Sequence, residues 1–209
     1  MRQSRRTATR LAWLFLLATF CLVHCLAWPS PVLSQSAKSK PGSTKKQQSP
    51  APAPAVRYGT DGLPAPVLDM REAILSAVRS GRIEDLRHAW ELNELKPDIG
   101  EAAAGDPIAH FKRISGDGEG REILAALAEI LEAGYVVLPL GPDLENNRIY
   151  VWPYFAEVPL DKLTPAQEVE LLRLVPPAVT KAMRSAGKYT YWRIAIGADG
   201  TWHSFRREP

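Results

Sequence analysis

The sequence predicts an α+β domain in which helices pack on one face of a small antiparallel sheet. Helical apolar periodicity fills residues 67–95 and 121–133, and strand alternation follows in 135–140 and 148–155. Near the C-terminus, Asp199-Gly200 separates two further alternating runs, which is a strong hairpin signal. We therefore expect an N-terminal helical hairpin and further helices, together with a sheet built from two hairpins.

The first 66 residues are expected to be targeting and linker sequence. Residues 11–27 form an apolar run directly after four arginines, which is the layout of a signal peptide spanning residues 1–34. Residues 35–66, rich in Pro, Lys, Ser and Ala, predict a disordered tether. One globular domain then occupies residues 67–209.

This N-terminal layout predicts a periplasmic or secreted protein. The alternative is an inner-membrane protein anchored by residues 11–27 if the signal is not cleaved, although a spanning helix usually needs about 20 apolar residues. The membrane would then be contacted only through that segment. Cys21 and Cys25, the only cysteines, lie inside the apolar run, so cleavage leaves no thiol or disulfide chemistry.

The charge distribution argues against a nucleic-acid partner. The whole chain carries +3, but residues 1–46 hold eight Lys and Arg residues and no acid. The rest of the chain therefore has 18 basic and 23 acidic residues, a net charge of −5. Phosphate binding needs clustered Lys and Arg, which this domain lacks.

Local signals place the individual helices. Ser80-Gly81 ends the first helix, and the second runs towards Pro97. Asp106 followed by a proline starts a short helix to residue 114, in which His110 is expected to pack against other helices. Thr164 begins a capping box, so another helix is expected over 165–175, with a short continuation before Gly187.

Two motifs resemble a family known only by its sequences. The segments VWPYFAEVPLDKLTP and YWRIAIGADGTWHSF are similar to motifs of an uncharacterised family of exported bacterial proteins. The likeness would cover most of residues 67–206. It implies no activity, ligand or catalytic residue.

An aromatic strand face is the leading candidate for binding. In residues 148–155, Tyr150, Trp152 and Tyr154 alternate with Ile149, Val151 and Phe155, so one set should face the helices and the other the solvent. If the first set is exposed, it forms a platform with Tyr191 and Arg193 of the last hairpin. Such a platform suits a protein, peptide or glycan. The alternative is a second packed layer beneath the Thr164 helix.

Histidine and carboxylate pairs offer the candidate catalytic chemistry. His88 has Glu84 four residues before it and Glu91 three after it, so a proton-transfer pair could form along one helix side, but such spacing is also common in surface salt bridges. For His203, a two-residue turn pairs Ile196 with His203, whereas a bulged turn pairs Ile196 with Trp202. The sequence leaves both open.

The loop of residues 115–122 is the remaining candidate site. Its glycines follow the spacing G-x-G-x-G and not that of a dinucleotide loop, and its acids would repel phosphate. Asp117 and Glu119 could hold a cation, but the ligand series of a calcium loop is incomplete. We expect a capping loop, no cofactor and no metal.

The leading interpretation is a non-enzymatic cell-envelope module that binds a protein, peptide or glycan through the aromatic face. The alternative is a periplasmic hydrolase-type enzyme that uses a His and carboxylate pair, although the common hydrolase motifs are absent from the sequence. The first interpretation requires exposed rings. The second requires a histidine within hydrogen-bond reach of a carboxylate in a cleft.

Overall fold

The computed structural model describes residues 53–100, 105–141 and 147–208. The expected signal peptide and most of the expected tether lie outside these residues. Within the described part of the chain, every helix is too short or too polar to cross a membrane.

Six α-helices and four β-strands follow one another in the described residues, and three short 3-10 turns connect some of them. The helices and strands are, in chain order, α1 (Ala65–Ser80), α2 (Leu86–Glu91), α3 (Pro107–Ile114), α4 (Arg121–Glu132), β1 (Val136–Pro139), β2 (Arg148–Trp152), α5 (Pro165–Leu174), α6 (Pro177–Ala186), β3 (Trp192–Gly197) and β4 (Trp202–Arg207). The 3-10 turns are Ile83–Asp85, Tyr154–Ala156 and Leu160–Lys162.

The four strands form one antiparallel sheet in the order β1-β2-β3-β4. The two hairpins join through their inner strands, so Tyr150 lies opposite Ile196 and Trp152 opposite Ile194. The α+β class, with an antiparallel sheet made of two hairpins, is confirmed.

The first four helices pack against one face of the sheet. Trp152, Ile194 and Phe205 point to this side and are buried with Ile74 of α1 and Leu127 of α4. Burying a large apolar side chain contributes roughly 1.5–3 kcal/mol, so the strand aromatics are first of all core residues.

The last two helices contribute to a second core on the opposite face. Val151 and Ala195 alternate with the residues of the first face and are buried with Leu171 of α5 and Met183 of α6. The sequence predicted helices on one face of the sheet, whereas helices cover both faces. Strands that are apolar on both sides need cover on both sides.

Capping interactions explain the helix boundaries. The Thr164 hydroxyl accepts from the Gln167 amide at 3.3 Å, and the Gln167 side chain accepts from the Thr164 amide at 2.9 Å, which completes the capping box at the start of α5. The second helix ends at Glu91 and does not continue to Pro97. It stops early because the Asn93 side chain donates back to the Ala89 carbonyl at 2.9 Å.

The folded domain begins earlier than the sequence analysis placed it. Arg57 and Tyr135 exchange two backbone hydrogen bonds of 2.8 Å, and the side chain of Leu63 is buried in the first core. The predicted start of the domain at residue 67 was wrong. Residues 53–66 are mostly Pro, Ala and Gly, a composition typical of loops, and only a few residues among them make contacts with the domain. Part of the expected tether is thus packed against the sheet.

Gly120 should be essential to the packing of α4 against the turn at Ile83. It has φ +83°, and a Cβ there would lie 2.7–3.0 Å from the Ile83 side chain. Gly118 has φ +68° but open space around it. We expect Gly118→Ala to cost about 1–2 kcal/mol through backbone strain and Gly120→Ala to cost clearly more.

Urea unfolding of the two variants measures this difference. Because both substitutions introduce the same side chain at a positive φ, the difference isolates the contact with Ile83. Equal losses of stability would contradict the packing argument.

Candidate functional site

The aromatic platform expected from the sequence is buried. Tyr150, Trp152 and Tyr154 are 3%, 1% and 0% exposed. Tyr150 and Trp152 pack against Tyr135, with ring centroids 6.0 and 5.0 Å apart. The prediction that these rings face solvent is wrong, since cores cover both faces of the sheet.

Tyr154 lies on the opposite side of the sheet from its expected neighbours. The strand ends at Trp152, and a 3-10 turn begins at Tyr154, so the alternation on which the prediction depended stops there. Tyr154 packs with Val151 and Phe155 in the second core. This position agrees with the alternative of a packed layer beneath the Thr164 helix, which is α5.

Tyr191 and Arg193 also make internal contacts. The Arg193 guanidinium pairs with Glu157 at 3.2 Å and with Glu208 at 3.1 Å. Tyr191 is half-buried, and the Arg207 guanidinium lies 5.3 Å from its ring centroid. Arg193 is therefore neutralised by the domain itself, and neither residue forms the expected platform.

The two catalytic histidine candidates do not form the expected pairs. His88 is exposed on α2, and Glu84 pairs instead with Lys112 at 2.6 Å. Glu91 is also exposed, and no ion pair within 4.0 Å joins a histidine to a carboxylate among the described residues. The direct contact between a histidine and a carboxylate that the enzyme alternative requires does not form among the described residues.

The last hairpin follows the bulged alternative at its turn. Ile196 pairs with Trp202, and the register then shifts so that Ala195 pairs with Ser204. His203 is the extra residue of this bulge and is exposed. Burial raises the pKa of Asp199. The hydrogen bonds from the Thr201 amide and hydroxyl, together with the nearby His203, lower it by more, so the pKa of Asp199 lies below its usual value.

Asp117 accepts hydrogen bonds from its own loop and from the start of α4, and Glu119 is exposed. The Asp117 carboxylate accepts from the Ser115 hydroxyl and from the amides of Glu119, Gly120 and Arg121 at 3.0–3.2 Å. The Ser115 hydroxyl is the first cause that lowers the pKa of Asp117. The described residues contain no group of three or more metal-ligating side chains. The hydrogen bonds to Asp117 fix the loop that connects α3 to α4.

His110 is a packing residue, as the sequence indicates. It is buried beside Phe111, and its Nδ1 lies 2.8 Å from the Arg113 guanidinium. Burial, and then the positive charge of Arg113, lower the pKa of His110.

A carboxylate and two tyrosines hold the N-terminal segment to α5. The hydroxyls of Tyr58 and Tyr154 donate to Glu170 Oε2 at 3.1 and 3.0 Å, and the Gly134 amide donates to Glu170 Oε1 at 3.1 Å. Burial, and then the neighbouring phenol and carboxylate, raise the pKa of Tyr154, which therefore stays a donor at neutral pH. We call Tyr58, Tyr154 and Glu170 the tyrosine latch.

An apolar groove of about 860 Å³ lies beside the outer edge of β1. We call it the β1 groove. Three chain segments line it, and its polar lining residues are few. The lining residues are Ala53, Pro54, Val56, Val137, Leu138, Pro139, Glu157, Val158, Pro159, Lys162, Leu163 and Gln167.

The backbone of Val137 is open at this edge. Leu140 donates to the Asn147 carbonyl at 2.7 Å, and bonded pairs recur at every second residue of an antiparallel ladder. Leu138 and Val136 therefore bond to β2, whereas the N–H and C=O of Val137 point outward. Tyr135, two residues earlier, uses its outward groups to bond Arg57.

The opposite edge of the sheet is closed at its centre. Asp98 forms a parallel bridge to Ser204 of β4, with hydrogen bonds of 2.8 Å to the His203 carbonyl and 2.9 Å from the Phe205 amide. At the β1 edge, the only such backbone partner among the described residues is Arg57, which bonds to Tyr135 and leaves Val137 uncovered. The open backbone and the apolar groove thus coincide at one edge.

A second depression of about 620 Å³ lies near the β3–β4 turn. It combines the carboxylates of Asp69, Glu94 and Asp199 with the exposed side chains of Leu92 and Leu95. It offers no free strand edge.

Neither the tyrosine latch nor the β1 groove was predicted from the sequence. Each depends on residues 53–58, which were assigned to the tether. One signal was available: Arg57-Tyr58 is a charged and aromatic pair within a Pro, Ala and Gly segment.

Comparisons with known proteins identify no characterised relative. No protein-family model matches the chain, and neither a curated protein nor a solved structure does so. The motifs in the sequence likewise resemble no characterised family. The resemblance to exported bacterial proteins remains a prediction.

Replacing Asp117 should destabilise the domain, whereas replacing Glu119 should not. Asp117→Ala removes the carboxylate that accepts the amides of Gly120 and Arg121 at the start of α4, whereas the Glu119 side chain is exposed. The midpoint of unfolding should therefore fall for Asp117→Ala and stay near the parent value for Glu119→Ala. Chemical unfolding of Asp117→Ala and Glu119→Ala measures both effects. A melting temperature of the parent protein that rises with added Ca²⁺ would instead point to a metal site.

His110 should make stability fall as the pH falls. Its pKa is lower in the folded state, so the unfolded chain takes up the proton first, and stability present above about pH 6.5 is lost below it. Between about pH 7.5 and about pH 5.5, His110→Gln should lose less stability than the parent protein. His88 is exposed, so the stability of His88→Gln should depend on pH as that of the parent protein does. A stability profile of His110→Gln that runs parallel to the parent's would contradict the argument.

Proposed function

We propose that this domain is a non-enzymatic module that binds an extended peptide segment of another protein in the β1 groove. The observation that carries the proposal is the open backbone of Val137 beside an apolar groove. A peptide that lies along β1 can form main-chain hydrogen bonds there and place alternate side chains in the groove.

The chemistry of the groove favours a strand over other ligands. Polyproline ligands dock in aromatic grooves, whereas Val137, Leu138, Val158 and Leu163 give this groove an aliphatic lining. Sugars bind by stacking on exposed rings, and the strand aromatics are buried. An extended peptide with apolar side chains at alternate positions fits best.

The N-terminal sequence suggests where this binding takes place. If residues 11–27 direct export, the module works in the periplasm or outside the cell, on a segment of an envelope or secreted protein. The hydrolase alternative lacks support from the described residues, because His88 and His203 are exposed and form no ion pair with a carboxylate.

The test is binding of a fluorescent octapeptide of alternating valine and threonine to the full-length chain. We expect saturable binding that Leu138→Asp weakens about tenfold, equivalent to ~1.4 kcal/mol, because a charge would lie in the apolar groove. Leu140→Asp is the matched control. Leu140 is half exposed, at 50%, and does not line the groove, so this variant should bind as the parent does.

A second peptide separates strand pairing from general apolar binding. N-methylation of every other amide on the pairing edge removes the donors but keeps the side chains. This peptide should not bind. Equal affinities for the two peptides, or equal effects of the two leucine substitutions, would refute the proposed function.

A further inference from the structure

The chain's own N-terminal segment begins to pair with β1 and then leaves it. Arg57 and Tyr135 form a bonded pair, so the antiparallel register next places Ala55 opposite Val137 and Ala53 opposite Pro139. No backbone hydrogen bond joins these later positions in the described residues. Ala53, Pro54 and Val56 instead form one wall of the β1 groove.

The positions of the prolines give this segment one pairing edge. In an extended strand, alternate residues direct their N–H groups to the same edge, so Ala53 and Ala55 share the edge of Arg57 that faces β1. Pro54 lies between them and has no N–H to direct outward. The sequence continues this alternation with Pro50 and Pro52.

Residues 53–57 are anchored at their C-terminal end, next to the sheet that they would extend. The two hydrogen bonds of Arg57 fix its register, and the tyrosine latch holds Tyr58 to Glu170, with the ring of Tyr58 6.1 Å from that of Tyr154. The adjoining Ala53 and Ala55 are exposed, and among the described residues they form no backbone hydrogen bond that pairing with β1 would break.

We infer that residues 53–57 close onto β1 as a fifth strand and so regulate access to the β1 groove. In the closed state, Ala55 and Val137 exchange two hydrogen bonds, and the Pro139 carbonyl accepts from Ala53. The outward edge then carries Pro54, which stops further strand addition. This inference rests on the proposed function, because the fifth strand occupies the site assigned there to the partner.

Residues 53–57 would compete with a free peptide for the edge of β1, because they are covalently joined to the domain beside it. A segment joined to its site by one or two residues has an effective concentration in the millimolar range, so even weak pairing lowers the apparent affinity for a free peptide. Partners able to displace the segment would need apolar side chains that fill the groove better than alanine and proline do.

The experiment compares Ala55→Pro with Pro54→Ala in the full-length chain. Ala55→Pro removes the donor that faces Val137, whereas Pro54→Ala leaves that edge unchanged. Hydrogen exchange of the Val137 amide reports closure, and the valine–threonine octapeptide reports access. We expect Val137 to be protected in the parent and in Pro54→Ala, and Ala55→Pro to lose this protection and bind the peptide about threefold or more tightly than the parent. Pro54 lines the groove, so Pro54→Ala is a control for closure only, and peptide affinities are compared between Ala55→Pro and the parent.

The two readouts separate the two proposals. A Val137 amide that exchanges as fast as an exposed amide in the parent would overturn the fifth strand, even if the peptide binds. Protection of Val137 without peptide binding by any variant would overturn the proposed function and support the fifth strand. Protection that Ala55→Pro removes without any gain in peptide affinity would overturn the regulatory role.

Discussion

The burial of both faces of the four-stranded sheet is the constraint on which the rest of the structure depends. Trp152 and Ile194 pack towards α1–α4, while Val151 and Ala195 pack towards α5 and α6. A sheet covered in this way presents little more than its edges to other molecules. Asp98 covers the centre of one edge, so the unpaired part of β1 becomes the place where main-chain recognition remains possible.

The fold could be predicted from the sequence because its signals are local. The capping box at Thr164 and the cap at Asp106 act within a few residues and gave the correct starts of α5 and α3. The Asp199-Gly200 turn correctly indicated a hairpin, although its register was left open. The second face could not be predicted in the same way. Whether Val151 or Trp152 faces the helices has no local signature when both are apolar.

The candidate site could not be predicted for a related reason. Tyr154 was placed by assuming that strand alternation continues through Pro153, but the strand ends at Trp152. His88, Glu84 and Arg193 have the residue types of a functional site, yet the contacts of Glu84 and Arg193 come from distant parts of the chain. The β1 groove depends on Arg57 meeting Tyr135, a contact across 78 positions that no periodicity indicates.

The pairing of Arg57 with Tyr135 also determines how the domain responds to mechanical force. Tension on the chain upstream of Ala53 would act on the packing of Val56 against the second core and on these two hydrogen bonds, and then on the ring and hydroxyl of Tyr58. A pull parallel to β1 stretches both bonds together, whereas a pull perpendicular to it breaks them in sequence. The direction of tension thus sets the force that detaches Arg57, and a domain attached at its N-terminus would convert stretching into a longer unpaired edge, from Tyr135 to Val137.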